Sequence, residues 1–426
     1  MRAPLNEVKR STLEGCLRTM WRNAQYNRGL SDPPLPKRMM FRPDKLAVLT
    51  QPGMKAFDDF VETILSMGEV STIFSKKRLE ELTTGSLFQV LDVGAEDIIS
   101  AARQAVLDLE TKLQAQSMEW KILFPISNLE METSEVALGR VRFLVGEAIL
   151  ESKRQLEGLL LEIDPKKALD PERKAEKIIA SSLLFASSTL AEVSVTAVDP
   201  NQATTLADLE LQNALAALRL IFAPVYRERR MFVDVTGRTW STRLDLGVYS
   251  ETAKEITMPQ SIVGYFEPMH IASELANSAA FQKMHDILLK SVDKRSEMEN
   301  RLIGAVRGFA SALGQLDDRS AFVGIISSLE GFLFREYGPR KEPLSERLAF
   351  ILGTDLTSRR RIYARVKELY QLRSDIAHGK DVDVAQSDLQ EITSFAYLCY
   401  LRALSFLPNF KELPDLLGWI ESEKFS

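Results

Sequence analysis

Apolar positions along the chain change their period twice, and each change marks a region. Up to about Gln116 they recur at helical spacing. Met54–Met67 forms one amphipathic stretch and Glu96–Ala115 another, with Ile98, Ala101, Ala105, Leu107 and Leu113 on its stripe. Gly29–Pro43 breaks this rhythm with four prolines and reads as an irregular loop. At Trp120 the period shortens. Trp120–Phe124 and Val141–Val145 are short β-prone runs, the first followed by Pro125 and a turn-like Ser127-Asn128, the second preceded by Gly139. Ser181–Val198 closes on the β-branched run Val193–Val198, which Asp199-Pro200-Asn201 stops. Ala203–Phe222 is then a long amphipathic helix carrying Leu206, Leu209, Leu211, Leu215, Leu218 and Leu220. Phe232–Val235 and Thr239–Leu244 flank Thr236-Gly237, a hairpin signal, and Ser261–Phe266 is one more candidate strand.

From about His270 the strand pattern gives way to successive helical stripes. They run through Ile303, Val306, Phe309 and Leu313, through Phe322, Ile325, Ile326, Leu329 and Leu333, through Ile362, Val366, Leu369 and Ile376, and through Leu389, Ile392, Ala396, Cys399 and Ala403. The expected fold class is α+β and multidomain. Residues 1–116 form a helical N-terminal region, residues 117–268 a small α+β domain, and residues 269–426 an all-α helical bundle. A length of 426 residues fits two to three domains.

Composition narrows the function. Lys plus Arg number 54 against 59 Asp plus Glu, a net charge of −5, so the chain does not coat nucleic acid through bulk charge, and only a local basic patch remains open. With 45% hydrophobic and 27% charged residues it has the balance of an ordinary globular protein. Its two cysteines, Cys16 and Cys399, make neither a disulfide framework nor a zinc site. The start carries no signal-peptide block, and no apolar run reaches the ~18 residues of a membrane helix, so a cytoplasmic location without membrane association is expected.

HExxH, Walker A, Rossmann-glycine and GxSxG patterns are all missing, so motif-based hydrolase, kinase and dehydrogenase readings lack support. Of three histidines, His270 and His285 stand alone, without Cys, His or paired carboxylates at metal-ligand spacing, and no cofactor is expected. His378 has richer surroundings. At about 100° per residue, the positions of Val366, Leu369, Arg373 and Ile376 fall within roughly 40° of the direction of Ile362, so an arginine lies on a buried face. His378 falls on the outer face, in line with Arg360, Lys367, Gln371 and Ser374, and Gly379 marks the helix end. A guanidinium and an imidazole five residues apart are the groups needed to stabilise and protonate a phosphodiester. The plainer reading pairs Arg373 with an interior carboxylate such as Glu330 and leaves His378 as a polar helix end. Arg359, Arg360, Arg361 and Arg365 cluster at the start of the same helix, either as a solvated start or as contacts to a phosphate backbone. Tyr363 and Tyr370 are candidate base-stacking residues or core and rim residues.

Three blocks carry a resemblance: Ser328–Phe334 (SLEGFLF), Ser345–Ala349 (SERLA) and Leu369–Gly379 (LYQLRSDIAHG). Through them, residues 301 to about 400 resemble the Apea-like branch of the HEPN superfamily. The last block is the most specific, an arginine, four residues, a histidine, then glycine. The resemblance implies a bundle of four or five helices that pairs with a second copy, and a metal-independent RNA endonuclease of a bacterial toxin or antiphage defence system. It implies that Arg373 holds the scissile phosphate, that His378 transfers a proton, and that Asp375 orients one of them. Arg359, Arg360, Lys367 and Lys380 are the expected RNA-binding cations. The implied partners are RNA, a second copy of the chain and a defence-system protein. Some members of the superfamily lack catalysis and act as interaction or dimerisation modules, so a scaffold or sensor is the alternative.

Overall fold

The computed structural model describes residues 5–26, 38–42, 45–67, 70, 74–93, 97–114, 117–152, 154, 188–226, 233–235, 245–250, 255–261, 268–315, 317–335 and 338–425. The chain divides into two compact units, Met1–Ile122 with Ser194–Ala207, and Leu123–Val193 with Asp208–Ser426. The architecture is α+β and mostly helical, with a small sheet and a helical C-terminal region.

The first unit opens with α1 (Glu7–Arg22), whose N-cap Asn6 accepts the Lys9 amide through its side chain at 2.9 Å. Strands β1 (Ala24–Tyr26), β2 (Arg38–Arg42) and β3 (Lys45–Leu49) form an antiparallel sheet in the order β1-β3-β2. Helices α2 (Gln51–Leu65), α3 (Lys76–Leu91) and α4 (Ile98–Leu113) follow. Leu13, Leu17, Phe57, Phe60, Leu79 and Leu109 are fully buried in one core. The two helices expected from periodicity are present. The sheet was not expected, because Gly29–Pro43 read as loop throughout, yet Arg38–Arg42 pairs residue for residue with Lys45–Leu49. A strand this short is held by its partner, which a one-dimensional period does not register. The rest of that segment lies outside the described residues.

Strand β4 (Met118–Ser127) continues through Pro125, and the chain turns at Asn128 with φ +60. After β5 (Leu129–Met131) come β6 (Glu135–Leu138), β7 (Val141–Val145) and β8 (Thr189–Ala197). Helix α5 (Pro200–Ile221), a single turn α6 (Ala223–Tyr226) and β9 (Asp234–Val235) complete a five-stranded sheet of order β6-β7-β8-β4-β9. The predicted strands at Trp120–Phe124 and Val141–Val145, the β-branched run and the following helix are all present. Strands β10 (Asp245–Ser250) and β11 (Glu255–Ser261) pair antiparallel, and β12 (Met269–Ile271) runs parallel to β5. The expected hairpin at Thr236-Gly237 and most of the expected strand Ser261–Phe266 lie outside the described residues. Gly139 opens the β6–β7 turn at φ +62, where a Cβ would come within 2.4 Å of the Leu288 Cβ, so glycine is required twice over.

The bundle begins with α7 (Ser273–Ala276) and α8 (Ala279–Leu289), a 3₁₀ turn at Val292–Lys294, and α9 (Glu297–Leu313), which starts in a capping box of Ser296 and Glu299. It continues through α10 (Asp318–Leu333), α11 (Lys341–Leu352), α12 (Leu356–Ala377), α13 (Gln386–Phe406) and α14 (Leu413–Lys424). Small residues let α9 and α10 approach closely: a Cβ on Gly324 would lie 2.8 Å from the Ala312 Cβ. At the centre, Tyr400 packs edge-on against Phe309 and Phe332 at 5.5 and 5.8 Å between ring centroids. Its hydroxyl lies 2.7 Å from Ser328 Oγ, which itself donates to the Ile325 carbonyl, so Tyr400 is the donor and no buried hydroxyl of this pair is orphaned. The exposed carbonyls at the end of α10 accept from Arg301, at 2.8 Å for Phe332 and 2.9 Å for Gly331. Among the described residues no helix is long and apolar enough to cross a membrane.

Candidate active site

Helix α12 carries the candidate residues. Asp355 and Ser358 form its capping box, and Ile362, Val366 and Leu369 bury one stripe against the bundle. One turn further along that stripe stands Arg373, and its guanidinium meets Glu330, which is only 7% exposed, from α10. Burying a carboxylate in the helix interface requires donors, and three converge on it. Tyr370 Oη donates to Glu330 Oε1 at 2.7 Å, Arg373 Nη2 lies 3.3 Å from Oε2, and Arg340 Nη1, from the N-cap residue of α11, lies 3.5 Å from the same oxygen. The interior pairing of Arg373 with Glu330, one of the two readings left open by the spacing, is therefore present.

Two features keep this cluster from being a closed ion pair. Two guanidinium cations share one carboxylate. Arg373 also retains 24% of its side-chain exposure, and its Nε is buried without a partner. The guanidinium lies 5.7 Å from the Tyr370 ring centroid, a cation–π contact that adds to its fixation. Burial, reinforced by the neighbouring Glu330 carboxylate, pushes the Tyr370 hydroxyl up to about 12, so it remains a hydrogen-bond donor across the neutral range.

The end of α12 is a Schellman closure. Gly379 adopts φ +76, its amide donates to the Ile376 carbonyl at 2.9 Å, and the Lys380 amide donates to the Asp375 carbonyl at 3.0 Å. His378 is the C-cap residue and is exposed. The turn folds Lys380 back so that its Nζ reaches Asp375 Oδ1 at 2.8 Å, and Gln371 Nε2 donates to the same oxygen at 3.0 Å. These donors, the Lys380 ammonium first, hold the Asp375 carboxyl below its ordinary value. Asp375 thus spends its hydrogen bonds on Lys380 and Gln371, and no hydrogen bond joins it to Arg373 or His378 among the described residues. Positions 373 and 378 are about 140° apart around the helix, so the two groups diverge within one chain.

The proposed backbone-binding cations are differently placed. Arg359 stacks on Phe350 at 4.5 Å and pairs with Glu423 at 2.8 Å. Lys367 pairs with Glu342 at 3.2 Å, and Lys380 with Asp375. Arg360 is exposed and has no ion-pair partner among the described residues. Arg365, from the same cluster, ties α12 to α13 through Glu391 at 2.7 Å and Asp388. His285 sits half-buried with Nδ1 between the Gly139 amide and the Ala137 carbonyl, and His270 lies at the surface between Glu130 and Glu132, so both have structural surroundings. Sequence reasoning missed Arg340 and the Tyr370 hydrogen bond. The signal for Tyr370 was its place one turn before Arg373, on a position that also reaches α10; Arg340 gave none. No family model, curated protein or solved structure matches the chain.

Proposed function

We propose that the protein is a metal-independent RNA endonuclease of the HEPN type, in which Arg373 binds the scissile phosphate and His378 transfers the proton. The observation that carries this reading is the partly exposed guanidinium of Arg373, held in place near the end of α12 with an exposed imidazole on the same helix end. A partly exposed guanidinium with an unpaired Nε shares its carboxylate with Arg340, and an exposed imidazole follows five residues later. The planar guanidinium of Arg373 attracts a phosphodiester and offers it donors. The imidazole takes the proton of the RNA 2′-hydroxyl, O2′ attacks phosphorus, and the P–O5′ bond breaks. The O5′ leaving group receives a proton from a second imidazole, supplied by a second copy of the chain. The products are a 2′,3′-cyclic phosphate and a 5′-hydroxyl end. Divergence of positions 373 and 378 within one protomer favours pairing of two bundles, so that each phosphate meets groups of both copies. Asp375 acts on this site through Lys380, the helix end and its charge near His378.

The test is incubation of the purified full chain with total RNA, with and without chelator, followed by end-group analysis. Cyclic phosphate ends that persist in chelator, and a loss of about 10²-fold or more in His378→Ala, are expected. Dependence on magnesium, or 5′-phosphate ends, would overturn the mechanism. A second reading, a non-catalytic interaction module, has its own support: Arg373 is held inward by Glu330 and Tyr370 within one protomer, as a structural arginine is. That reading predicts intact RNA together with self-association that survives His378→Ala. We place the chain in the bacterial toxin or antiphage class, acting in the cytoplasm with a defence-system partner, on the resemblance of its bundle sequence alone.

A further inference from the structure

A second cationic feature of the bundle is built from other elements. An open cleft of about 590 Å³ lies between α8, the 3₁₀ turn, the start of α9 and the connection from α13 to α14. Lys283, Lys290, Lys294, Arg295 and Lys411 line it, against two carboxylates, Asp286 and Glu299. Two of the five cations are committed. Lys290 pairs with Glu299 at 2.6 Å, and Arg295, 3% exposed, donates at 3.1 Å to each of the carbonyls of Ile287 and Leu288 at the end of α8. The other three, Lys283, Lys294 and Lys411, are exposed and have no ion-pair partner among the described residues. The lining thus carries five cations against the carboxylates of Asp286 and Glu299, with Asp293 beside Lys294, and this leaves an excess of positive charge at the cleft in a chain with net charge −5. A bound anion would lower the repulsion among these cations.

The shape restricts the anion. The volume is that of a site for one small molecule. The floor is aliphatic, formed by Ile287, Leu404 and Leu407, which are buried, with Pro408 at the side. No aromatic side chain among the described residues lines the cleft, so it lacks the stacking platform on which single-stranded nucleic acid is held. Lysine is a flexible point charge suited to phosphate groups whose spacing varies. We propose that this cleft binds a small organic polyphosphate, with Lys283, Lys294 and Lys411 on its phosphates and the aliphatic floor against its carbon skeleton. The inference stands independently of RNA cleavage.

Isothermal titration of the full chain tests it, with ATP, inorganic triphosphate and a short single-stranded RNA as separate arms. ATP should bind, more tightly than inorganic triphosphate because of the floor, and its affinity should fall as salt rises. Lys283→Ala and Lys411→Ala should each weaken ATP about tenfold, the effect of removing one charge-assisted hydrogen bond. Lys77→Ala, on α3, should change nothing. The three cleft lysines are exposed, so the variants should keep the wild-type melting profile. Absence of binding by ATP and triphosphate at millimolar concentration would overturn the proposal. So would unchanged affinity in a Lys283→Glu, Lys411→Glu double variant that remains folded. Tighter binding of RNA than ATP, abolished in the same variant, would reassign the cleft to a nucleic-acid strand and overturn it as well.

Discussion

Replacing Glu330 with Gln removes the carboxylate on which three helices converge, while its volume stays nearly the same. The strongest interaction it removes is the charged hydrogen bond from Tyr370 at 2.7 Å, and bonds to charged groups contribute about 1.5–3 kcal/mol. The guanidinium pairs, at 3.3 and 3.5 Å, involve arginines with 24% and 26% of their side-chain surface exposed, so water replaces much of the carboxylate's role there, and each adds about 0.5 kcal/mol. The amide oxygen of Gln still accepts from Tyr370, which returns part of the first contribution. The expected destabilisation is about 2–3 kcal/mol, below the full penalty of about 3–5 kcal/mol for breaking a dry buried pair. Because the chain contains two compact units, a single melting temperature is a poor readout. Hydrogen exchange read by mass spectrometry separates the units. Amides of α10 and α12 that exchange through bundle opening should speed up about 30- to 150-fold, while those of α4 keep their wild-type rates. Tyr370→Phe should cost about 1.5–2 kcal/mol, and the double variant should fall short of additivity by about 1 kcal/mol, since both changes delete the same hydrogen bond. Unchanged exchange in α10 and α12, or full additivity, would refute the reasoning that this carboxylate holds the helices together.

Three further outcomes follow from the same geometry. Tyr370 titrates near about 12, above the ordinary tyrosine value of about 10, so the stability contributed by the neutral hydroxyl is intact below pH 10 and is lost as pH rises through about 12. Urea unfolding of the bundle should weaken over that window, and the decline should be shallower in Tyr370→Phe. Gly139→Ala should destabilise the second unit by about 2–4 kcal/mol, from positive φ and from the clash with Leu288, with weaker exchange protection in β6 and β7 as the readout. Tyr400→Phe should cost about 1 kcal/mol and Tyr400→Ala about 3–5 kcal/mol, because only the second empties the space between Phe309 and Phe332; similar costs for the two would contradict the packing described.

What the sequence disclosed was which face of an element is buried. The stripe Ile362, Val366, Leu369 put Arg373 on an interior face, and Gly379 marked the end of that helix; the structure agrees on each. Amphipathic period also located the bundle helices, because each turns one apolar stripe to a common core. Partnership was less legible. Glu330 was one of several interior carboxylates open to Arg373, and Arg340 follows a Gly-Pro break with no pattern to place it. The sheet of β1, β2 and β3 escaped for a related reason: its strands owe their existence to pairing with one another, and pairing leaves no period in a short segment.

Net charge describes only the average of the molecule, and its excess of acidic residues argued against bulk attraction to polyanions. Recognition of a phosphate depends on charge within about a Debye length, roughly 8–10 Å at ordinary ionic strength, and at that scale the bundle is uneven. Most of its basic residues are cancelled by a neighbour one helical turn or one helix away, as Arg365 is by Asp388 and Glu391. Elsewhere cations gather, as Lys283, Lys290, Lys294, Arg295 and Lys411 do around one cleft. Those residues are scattered over more than 120 positions of sequence, and only the turns between α8, α9, α13 and α14 bring them together. The proposed anion cleft consequently depends on how the helices are connected, whereas a search of the sequence for runs of lysine and arginine leads to Arg359–Arg361, where Arg359 is already spent on Glu423.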